Sequence, residues 1–354
     1  MIRRNKNLLF TTIFTSFLFL ITILLIEIVA AFFLNNSAIL PDKLLLAFRM
    51  HYMSKDRNLI QYSSDCAIYD SDLTYTLKPG GCHTKGREFE AEYFVNSAGM
   101  RDDDASLVSP KIVVIGDSHT MGWGVSQDLI FSNLLEKKLG MPVLNTGVSS
   151  YGTVRELKML ERANLDNLEY LIIQYCDNDF EENNEYLKNN NKLPIMPEFK
   201  YNIFTEHLEK QSEYFIGKHS MNLLLILTKI FTSDSILKDN GAEGSEEVNA
   251  FLNAILKSNI DLSNVVIIAL EINGYNQNDS LFINSLKNRL SDKNLQLAVK
   301  DIKIIDSSLI LNDDNYFILD DHMNSSGHKA IAEALAESIL STRNNQNQPE
   351  ARRP

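Results

Sequence analysis

The feature that most restricts the fold of this sequence is a series of short, β-branched runs separated by segments with helical spacing. The runs are KIVVIG (111–116), PVLNTGV (142–148), EYLIIQYC (169–176), NVVIIALEI (264–272) and DIKIIDS (301–307). A run of this kind, bounded by turn residues, predicts a strand that is buried on both faces. Strands that alternate with helices form a parallel sheet covered on both sides. We therefore expect an α/β fold whose chemistry lies beyond the carboxyl ends of the strands.

A second constraint is the uncharged run at residues 8–26, LLFTTIFTSFLFLITILLI. As a helix it would extend ~28 Å, which is about the hydrocarbon thickness of a bilayer. Arg3, Arg4 and Lys6 precede the run, so the positive-inside rule keeps the N-terminus in the cytoplasm. We expect residues 8–34 to be a single-pass signal anchor in the cytoplasmic membrane, with the C-terminal domain outside the cytoplasm. A cleaved signal peptide is the alternative, because small residues follow the run.

The pattern along the chain predicts its domain organisation. The apolar stretch 221–231 is too short to span a membrane and predicts a core helix instead. The polar, Asn- and Glu-rich segment before it suggests an insertion. The expected parts are a basic stub (1–7), the anchor (8–34), an N-terminal extension and lead-in (35–110), the α/β domain (111–341, with an insertion at 181–246) and a disordered tail (342–354).

Charge and motif content exclude several classes of protein. The chain has 46 acidic and 34 basic residues, a formal net charge of −12, so nucleic acid is not an expected partner. We find neither a dinucleotide-binding glycine fingerprint nor a P-loop, and expect no cofactor. The cysteines Cys66, Cys82 and Cys176 lack the spacing of a zinc knuckle, and no metal site is expected. On the oxidising side of a membrane Cys66 and Cys82 could form a disulfide, which the sequence does not decide.

Polar side chains follow the predicted strands. The first strand runs into Gly116-Asp117-Ser118, the second into Asn145 to Gly152, and the third into Cys176-Asp177-Asn178, while Asp320-Asp321-His322 precedes the last helix. Each segment alone has an ordinary explanation, such as a capping Ser or an Asn-Asp turn. Together they supply a nucleophile, a base, an orienting carboxylate and an oxyanion donor, which is the set that acyl transfer requires.

These segments resemble, in order, the motif blocks of the SGNH (GDSL) hydrolase family. The matching blocks are GDSHTMGWGV, NTGVSSYGT, CDND and DDHMNSSGH, and FVNSAGMRDDD (94–104) resembles a lead-in of membrane-anchored bacterial members. The resemblance covers roughly residues 94–341. It implies a flavodoxin-like, three-layer α/β/α fold with a parallel sheet, placed after one transmembrane helix. It also implies a serine ester hydrolase or acyltransferase.

The resemblance assigns roles to individual residues. Ser118 matches the nucleophile, His322 the base and Asn178 an oxyanion donor. The backbone N–H groups of Ser118 and of a block-two residue complete the oxyanion hole. The block-two glycine of the family aligns best with Ser150, and Gly147 is a rival assignment.

Two further departures from the family pattern affect the assignments. The family spaces its Asp three residues before the His, where this chain has Leu319, so Asp320 is the expected partner of His322. Asp321 is the less favoured choice, because adjacent side chains in an extended loop point apart. Cys176 replaces a glycine and is expected to pack at the strand end.

The expected function is that of a membrane-anchored, extracytoplasmic serine esterase or O-acyltransferase. The ester, most simply an O-acetyl group, would belong to an envelope or exported glycan, and a membrane acyl-transfer protein could be a partner. A lysophospholipase and a non-catalytic binding protein are the alternatives. We expect Asp102, Asp103 and Asp104 to form a solvated turn, with His328 and Trp123 as packing residues. Oligomeric state stays open.

Overall fold

The computed structural model describes residues 2–232, 244–274, 280–292, 299 and 301–346. The chain divides into two compact units that each contain several segments of the sequence. We call them the anchor unit and the sheet unit. The anchor unit comprises Met1–Asn58, Glu209–Asp239 and Ile318–Asp320, and the sheet unit comprises Leu59–Leu208, Asn240–Phe317 and Asp321–Pro354.

The sheet unit contains two antiparallel hairpins and one five-stranded sheet. Its strands are β1 (Ala67–Asp70), β2 (Thr74–Leu77), β3 (Cys82–Lys85), β4 (Glu90–Tyr93), β5 (Ile112–Ile115), β6 (Val143–Asn145), β7 (Tyr170–Tyr175), β8 (Val266–Glu271) and β9 (Lys303–Ile305). The large sheet has the order β6-β5-β7-β8-β9, and every neighbouring pair is parallel. This is the order of a doubly wound, flavodoxin-like sheet, so the predicted fold class is confirmed.

The described helices are α1 (Ile2–Asn35), α2 (Asp42–His51), α3 (Ser118–Met121), α4 (Phe131–Leu139), α5 (Thr153–Leu160), α6 (Asp179–Lys188), α7 (Glu198–Ser212), α8 (Lys218–Thr232), α9 (Gly244–Leu256), α10 (Leu281–Leu290) and α11 (Ser325–Gln346). Side chains alternate across β5. Val113 and Ile115 pack in one apolar cluster with α5, α9 and α10, while Ile112 and Val114 pack in another with α4 and α11. A strand buried on both faces reads as a continuous β-branched run, which is why the sequence located it.

Residues 59–110, the larger part of the predicted N-terminal extension, belong to the sheet unit. Leu77 and Tyr93, one from each hairpin, lie in one apolar cluster with Met121 and Trp123 of the first motif block. A disulfide joins Cys66 to Cys82, a pairing that the sequence allowed but did not decide. The lead-in therefore supports the loop that follows β5.

The anchor unit is built from α1, α2 and α8. Within the described residues, one helical stretch, Leu9–Asn35, is long and apolar enough to cross a membrane, with a mean hydropathy of 2.9. It contains the run predicted at 8–26. Helix α8 was predicted to be a core helix, and its Leu223 packs in the apolar cluster formed with α1 and α2. Its residues Leu224 and Leu225 are exposed.

Two predicted boundaries fall differently in the structure. Helix α11 continues to Gln346, beyond the start of the expected tail at 342, because Thr342 is buried and its hydroxyl donates to Ser338 O at 2.7 Å. Residues 347–354 of that tail lie outside the described residues. The expected insertion at 181–246 contains most of α6, all of α7 and α8, and the start of α9, and its residues 233–243 also lie outside the described part.

Helices α5 and α6 are joined by a buried polar network. Thr153 donates to Asp179 Oδ2 at 2.9 Å, and Asn183 donates to Thr153 at 3.1 Å. Glu156 and Asp179 are both fully buried, and neither carboxylate oxygen of Glu156 has a hydrogen-bond partner within the described part of the chain. Burial, followed by the charges of Asp179, Asp117 and Glu182, raises the pKa of Glu156 well above its usual value. The buried position therefore favours the protonated form of Glu156.

This buried acid predicts a specific dependence of stability on pH. When the pH rises above the ordinary Glu value, the unfolded chain releases a proton that the folded chain retains. The free energy of unfolding therefore falls with rising pH, up to the pKa of the folded state. We expect E156Q, which cannot ionise, to gain stability relative to wild type between pH 5 and pH 8 in thermal melts.

The control for this prediction is E333Q, which changes an exposed glutamate of α11. Its melting temperature relative to wild type should stay constant over the same pH interval. If the difference between E156Q and wild type is also constant, Glu156 does not hold its proton in the folded state.

Candidate active site

Ser118 and His322 meet at the carboxyl edge of the parallel sheet. Ser118 is the first residue of α3, directly after the turn that ends β5, and His322 lies in the loop before α11. The Ser118 hydroxyl lies 2.7 Å from His322 Nε2, and both side chains are buried. A serine hydroxyl at hydrogen-bond distance from an imidazole nitrogen is the geometry of an activated nucleophile.

The turn before Ser118 leaves no room for a side chain at position 116. A Cβ atom on Gly116 would lie 2.1 Å from Thr120 Oγ1 and 2.5 Å from Gln174 Oε1, so only glycine fits. Asp117 caps α3 by accepting the His119 N–H at 2.9 Å. Gln174, buried on β7, accepts both the Asp117 N–H and the Thr120 hydroxyl. The neighbouring strand thus fixes the position of the nucleophile.

Arg101 supports the same loop from its other side. Its guanidinium is fully buried and donates to the carbonyl oxygens of Met121 (2.9 Å), Gly122 (2.6 Å) and Val125 (2.6 Å). It also lies 3.7 Å from the centroid of the Tyr93 ring. Sequence reasoning did not identify this residue, since an Arg beside three Asp residues resembles part of a solvated turn.

The prediction of a solvated turn is wrong for Asp102. This side chain is buried, and its Oδ2 accepts the Asn145 N–H at the end of β6 at 2.9 Å. Burial raises the pKa of Asp102 to about 6. The hydrogen bonds from Asn145, Asp103 and Ser106 lower this pKa, but burial has the larger effect. Asp102 thus joins the lead-in to the strand that precedes the second motif block.

The carboxylates beside His322 differ in their surroundings. Asp321 Oδ1 lies 3.1 Å from His322 Nδ1, and the Asp321 side chain is 40% exposed. Asp321 was predicted to point away from His322, but residues 318–322 form a bend and not an extended strand. Asp320, the predicted partner of His322, has a completely buried side chain and lies 3.6 Å from the guanidinium of Arg57 within the anchor unit.

Two aromatic rings flank the imidazole of His322. The Trp123 ring stacks at 5.4 Å between centroids with an interplanar angle of 30°, and the His119 ring lies at 4.9 Å. Trp123 is buried, as predicted, and Phe89 packs on it edge-on. The packing position of Trp123 therefore also restricts the orientation of the His322 imidazole.

The structure distinguishes the two candidates for the block-two oxyanion donor. Ser150 has a φ of 59°, a left-handed conformation that favours glycine, which accounts for the family's glycine at this position. Gln61 donates to the Ser150 hydroxyl at 3.0 Å and holds the loop. The Gly147 N–H is already donated to Asn145 Oδ1 at 2.9 Å. Within the described residues, the N–H groups of Ser118 and Ser150 have no acceptor, so both can bind an oxyanion.

Asn178 follows β7 and begins α6, so the three proposed donors follow three adjacent strands. Its side chain is exposed, and a mutual pair of hydrogen bonds between Asp177 and Asn273, each 2.8 Å long, fixes the loop before it. Burial, followed by the charges of Asp117 and Asp179, raises the pKa of Cys176 well above its usual value. Cys176 is therefore a protonated packing residue and not a thiolate.

His328 is a packing residue, as predicted. Its Nδ1 accepts the Phe131 N–H at 3.2 Å, and its ring stacks on Phe131. Burial, with the positive charges nearby, lowers the pKa of His328 to about 3, so this imidazole stays neutral. It does not act as a second base.

No protein-family model and no curated protein matches this chain. Among solved structures, a protein described as lipolytic and of the G-D-S-L family from Desulfitobacterium hafniense DCB-2 is 13% identical, with a TM-score of 0.31, and the match covers 65% of this chain and 99% of that one. The psychrotrophic esterase EstA from Pseudoalteromonas sp. is 15% identical, with a TM-score of 0.32 and coverages of 66% and 98%.

A carbohydrate esterase family 2 enzyme from Corynascus thermopiles (Myceliophthora fergusii) is 14% identical, with a TM-score of 0.38, and the match covers 66% of this chain and 67% of that one. TM-scores this low do not indicate activity, so the function is inferred from the residues of the site. The motif blocks, the parallel sheet and the Ser118–His322 pair make this chain similar to the SGNH (GDSL) serine hydrolases.

Proposed function

We propose that this chain is a membrane-anchored serine esterase or O-acyltransferase. The observation that carries the proposal is the 2.7 Å contact between the Ser118 hydroxyl and His322 Nε2, at the edge of a parallel sheet where such sites lie. The contact joins residues that are far apart in sequence and that matching motif blocks assign to nucleophile and base.

The reaction proceeds through an acyl-enzyme. Ser118 Oγ attacks the ester carbonyl carbon while His322 Nε2 takes the hydroxyl proton. The negative charge on the carbonyl oxygen is stabilised by the N–H groups of Ser118 and Ser150 and by the Asn178 amide. The intermediate collapses, the C–O bond to the alcohol breaks, and His322 gives its proton to the departing oxygen. Water or a sugar hydroxyl then takes the acyl group by the same steps in reverse.

Asp320 is our choice for the carboxylate that orients His322. Its side chain is buried, whereas Asp321 is partly exposed, and a charge in a low-dielectric setting stabilises an imidazolium more strongly than a solvated charge. Arg57 lies 3.6 Å from Asp320. The 3.1 Å approach of Asp321 to Nδ1 makes Asp321 the rival.

Two features support the proposed location and substrate of the enzyme. Helix α1 is long enough to hold the enzyme at a membrane, and the disulfide Cys66–Cys82 is typical of an oxidising compartment outside the cytoplasm. A catalytic unit held at that surface would act on an envelope or exported glycan, whose O-acetyl groups are small esters. A membrane protein that delivers acyl groups would be its partner if it is a transferase.

A lipid ester is the second candidate substrate, and one feature favours it. Phe199, Ile203 and Phe204 are all exposed on α7, within the sheet unit. Phe199 and Ile203, four residues apart, lie on one side of the helix, where they could contact acyl chains. A screen of acetylated glycans against lysophospholipids separates the two.

Ser118→Ala should abolish covalent labelling and ester hydrolysis, because no other group can form the acyl-enzyme. The full chain in detergent would be treated with a fluorophosphonate probe and with p-nitrophenyl acetate. Ser126→Ala, which changes an exposed serine of the same loop region, is the control and should behave as wild type. Labelling that persists in the Ser118 variant would remove Ser118 from the mechanism. A wild type that never labels would favour a binding protein.

Asn178→Ala should lower kcat for p-nitrophenyl acetate by ~100-fold or more, since loss of one oxyanion donor costs ~2.7–4 kcal/mol of transition-state stabilisation. The matched control is Asn259→Ala, an exposed asparagine that precedes β8 at the opposite edge of the sheet. An unchanged kcat in the Asn178 variant would exclude its amide from the oxyanion hole.

Asp320→Asn should reduce kcat by ~10³–10⁴-fold, as expected when the carboxylate that fixes the histidine tautomer is lost. Asp321→Asn should change kcat by less than ~10-fold, because partly exposed charges interact weakly. Both rates would be measured with the same ester, after circular dichroism has shown that each variant is folded. The opposite order of effects would give the orienting role to Asp321.

A further inference from the structure

Three potential metal ligands, none of which is assigned a catalytic role, converge in the anchor unit. His51 is the last residue of α2 and is fully buried. Asp56 ends the wide helical turn Tyr52–Asp56, and His219, also buried, is the second residue of α8. One ligand atom of each residue lies within 4.8 Å of the others.

The two imidazoles are arranged with their nitrogen atoms directed at one another. His51 Nε2 lies 2.9 Å from His219 Nδ1, and the rings are perpendicular, with an interplanar angle of 89°. Two nitrogen ligands of a tetrahedral zinc ion, each ~2.0–2.1 Å from the metal, lie ~3.3 Å apart. If His51 Nε2 and His219 Nδ1 moved apart by a few tenths of an ångström, an ion could therefore bind between the rings.

The side chains around the cluster hold its ligands in place. Glu27 accepts the N–H groups of His219 (3.2 Å) and Ser220 (2.9 Å), which fixes the start of α8 against α1. Lys218 Nζ lies 3.7 Å from Asp56 Oδ1 and donates to the Ser212 carbonyl at 2.7 Å. Outer partners of this kind orient the ligands in metal sites.

The local charge also suits a cation. Asp56 and Glu27 bring two carboxylates to the cluster, against one ammonium group from Lys218. Neutral imidazoles add ligand atoms without adding charge. Two imidazole nitrogens and one carboxylate form a ligand set that zinc accepts readily, with a fourth position left for water.

The geometry points to a site for a divalent transition metal of the zinc class, formed by His51, Asp56 and His219. The ion would connect the end of α2 to the start of α8, with Glu27 of α1 behind it. The site would thus hold together three helices that share only one small apolar cluster. It is independent of the proposed serine chemistry.

The test uses the full chain in detergent, carrying no polyhistidine tag and stripped of metal with a chelator. Zn²⁺ is titrated by calorimetry, bound metal is counted by elemental analysis, and Co²⁺ is added as a spectroscopic probe. We expect one ion per chain and visible absorption bands of four-coordinate cobalt. His51→Gln, Asp56→Asn and His219→Gln should each weaken binding by more than ~100-fold, beyond the usual effect of losing an outer partner.

His207→Gln is the matched control, because His207 is exposed on α7 and should retain full binding. Circular dichroism shows whether each variant folds, and the cobalt spectrum of the wild type needs no variant at all. If the wild-type protein shows no cobalt bands, or binds no more zinc than His219→Gln, then His51, Asp56 and His219 do not form a metal site. Fluorophosphonate labelling of the same samples reports on Ser118 separately, so either proposal can fail alone.

Discussion

The burial of β5 on both faces and along both edges is the constraint on which the candidate site depends. All four of its residues are fully buried, and it lies between β6 and β7 in the sheet. The chain leaves this strand through the crowded turn at Gly116 and enters α3. The position of Ser118 is thus set by strand packing and not by contacts of its own side chain.

Most of the fold could be predicted because buried strands have an unmistakable composition. The runs at 111–116 and 169–176 were located from β-branched content, and their carboxyl ends carry Ser118 and Asn178. Ser150 was aligned with a glycine, and its left-handed backbone supplies the physical reason. These features are local, so a short stretch of sequence is enough to reveal them.

The features that were not predicted depend on contacts between residues that are distant in sequence. Arg101 and Asp102 resemble surface residues, yet their hydrogen bonds reach Gly122 and Asn145. Helix α8 resembles a core helix, yet it packs with α1 and α2. The short distance between Asp321 and His322 depends on the bend at 318–322, which the amino-acid composition does not predict. In each case the sequence shows the polarity of a residue but not which remote element will cover it.

The topology of the sheet also bears on how the chain folds. Strands β5, β6 and β7 lie close together in sequence, whereas about 90 residues separate β7 from β8. Closing that long connection costs more entropy than pairing the first three strands, so local pairing is favoured early. The loop with His322 follows still later in the chain. Topology therefore favours an order in which the turn that holds Ser118 forms first and His322 joins it last, so a partly folded chain lacks the Ser118–His322 pair.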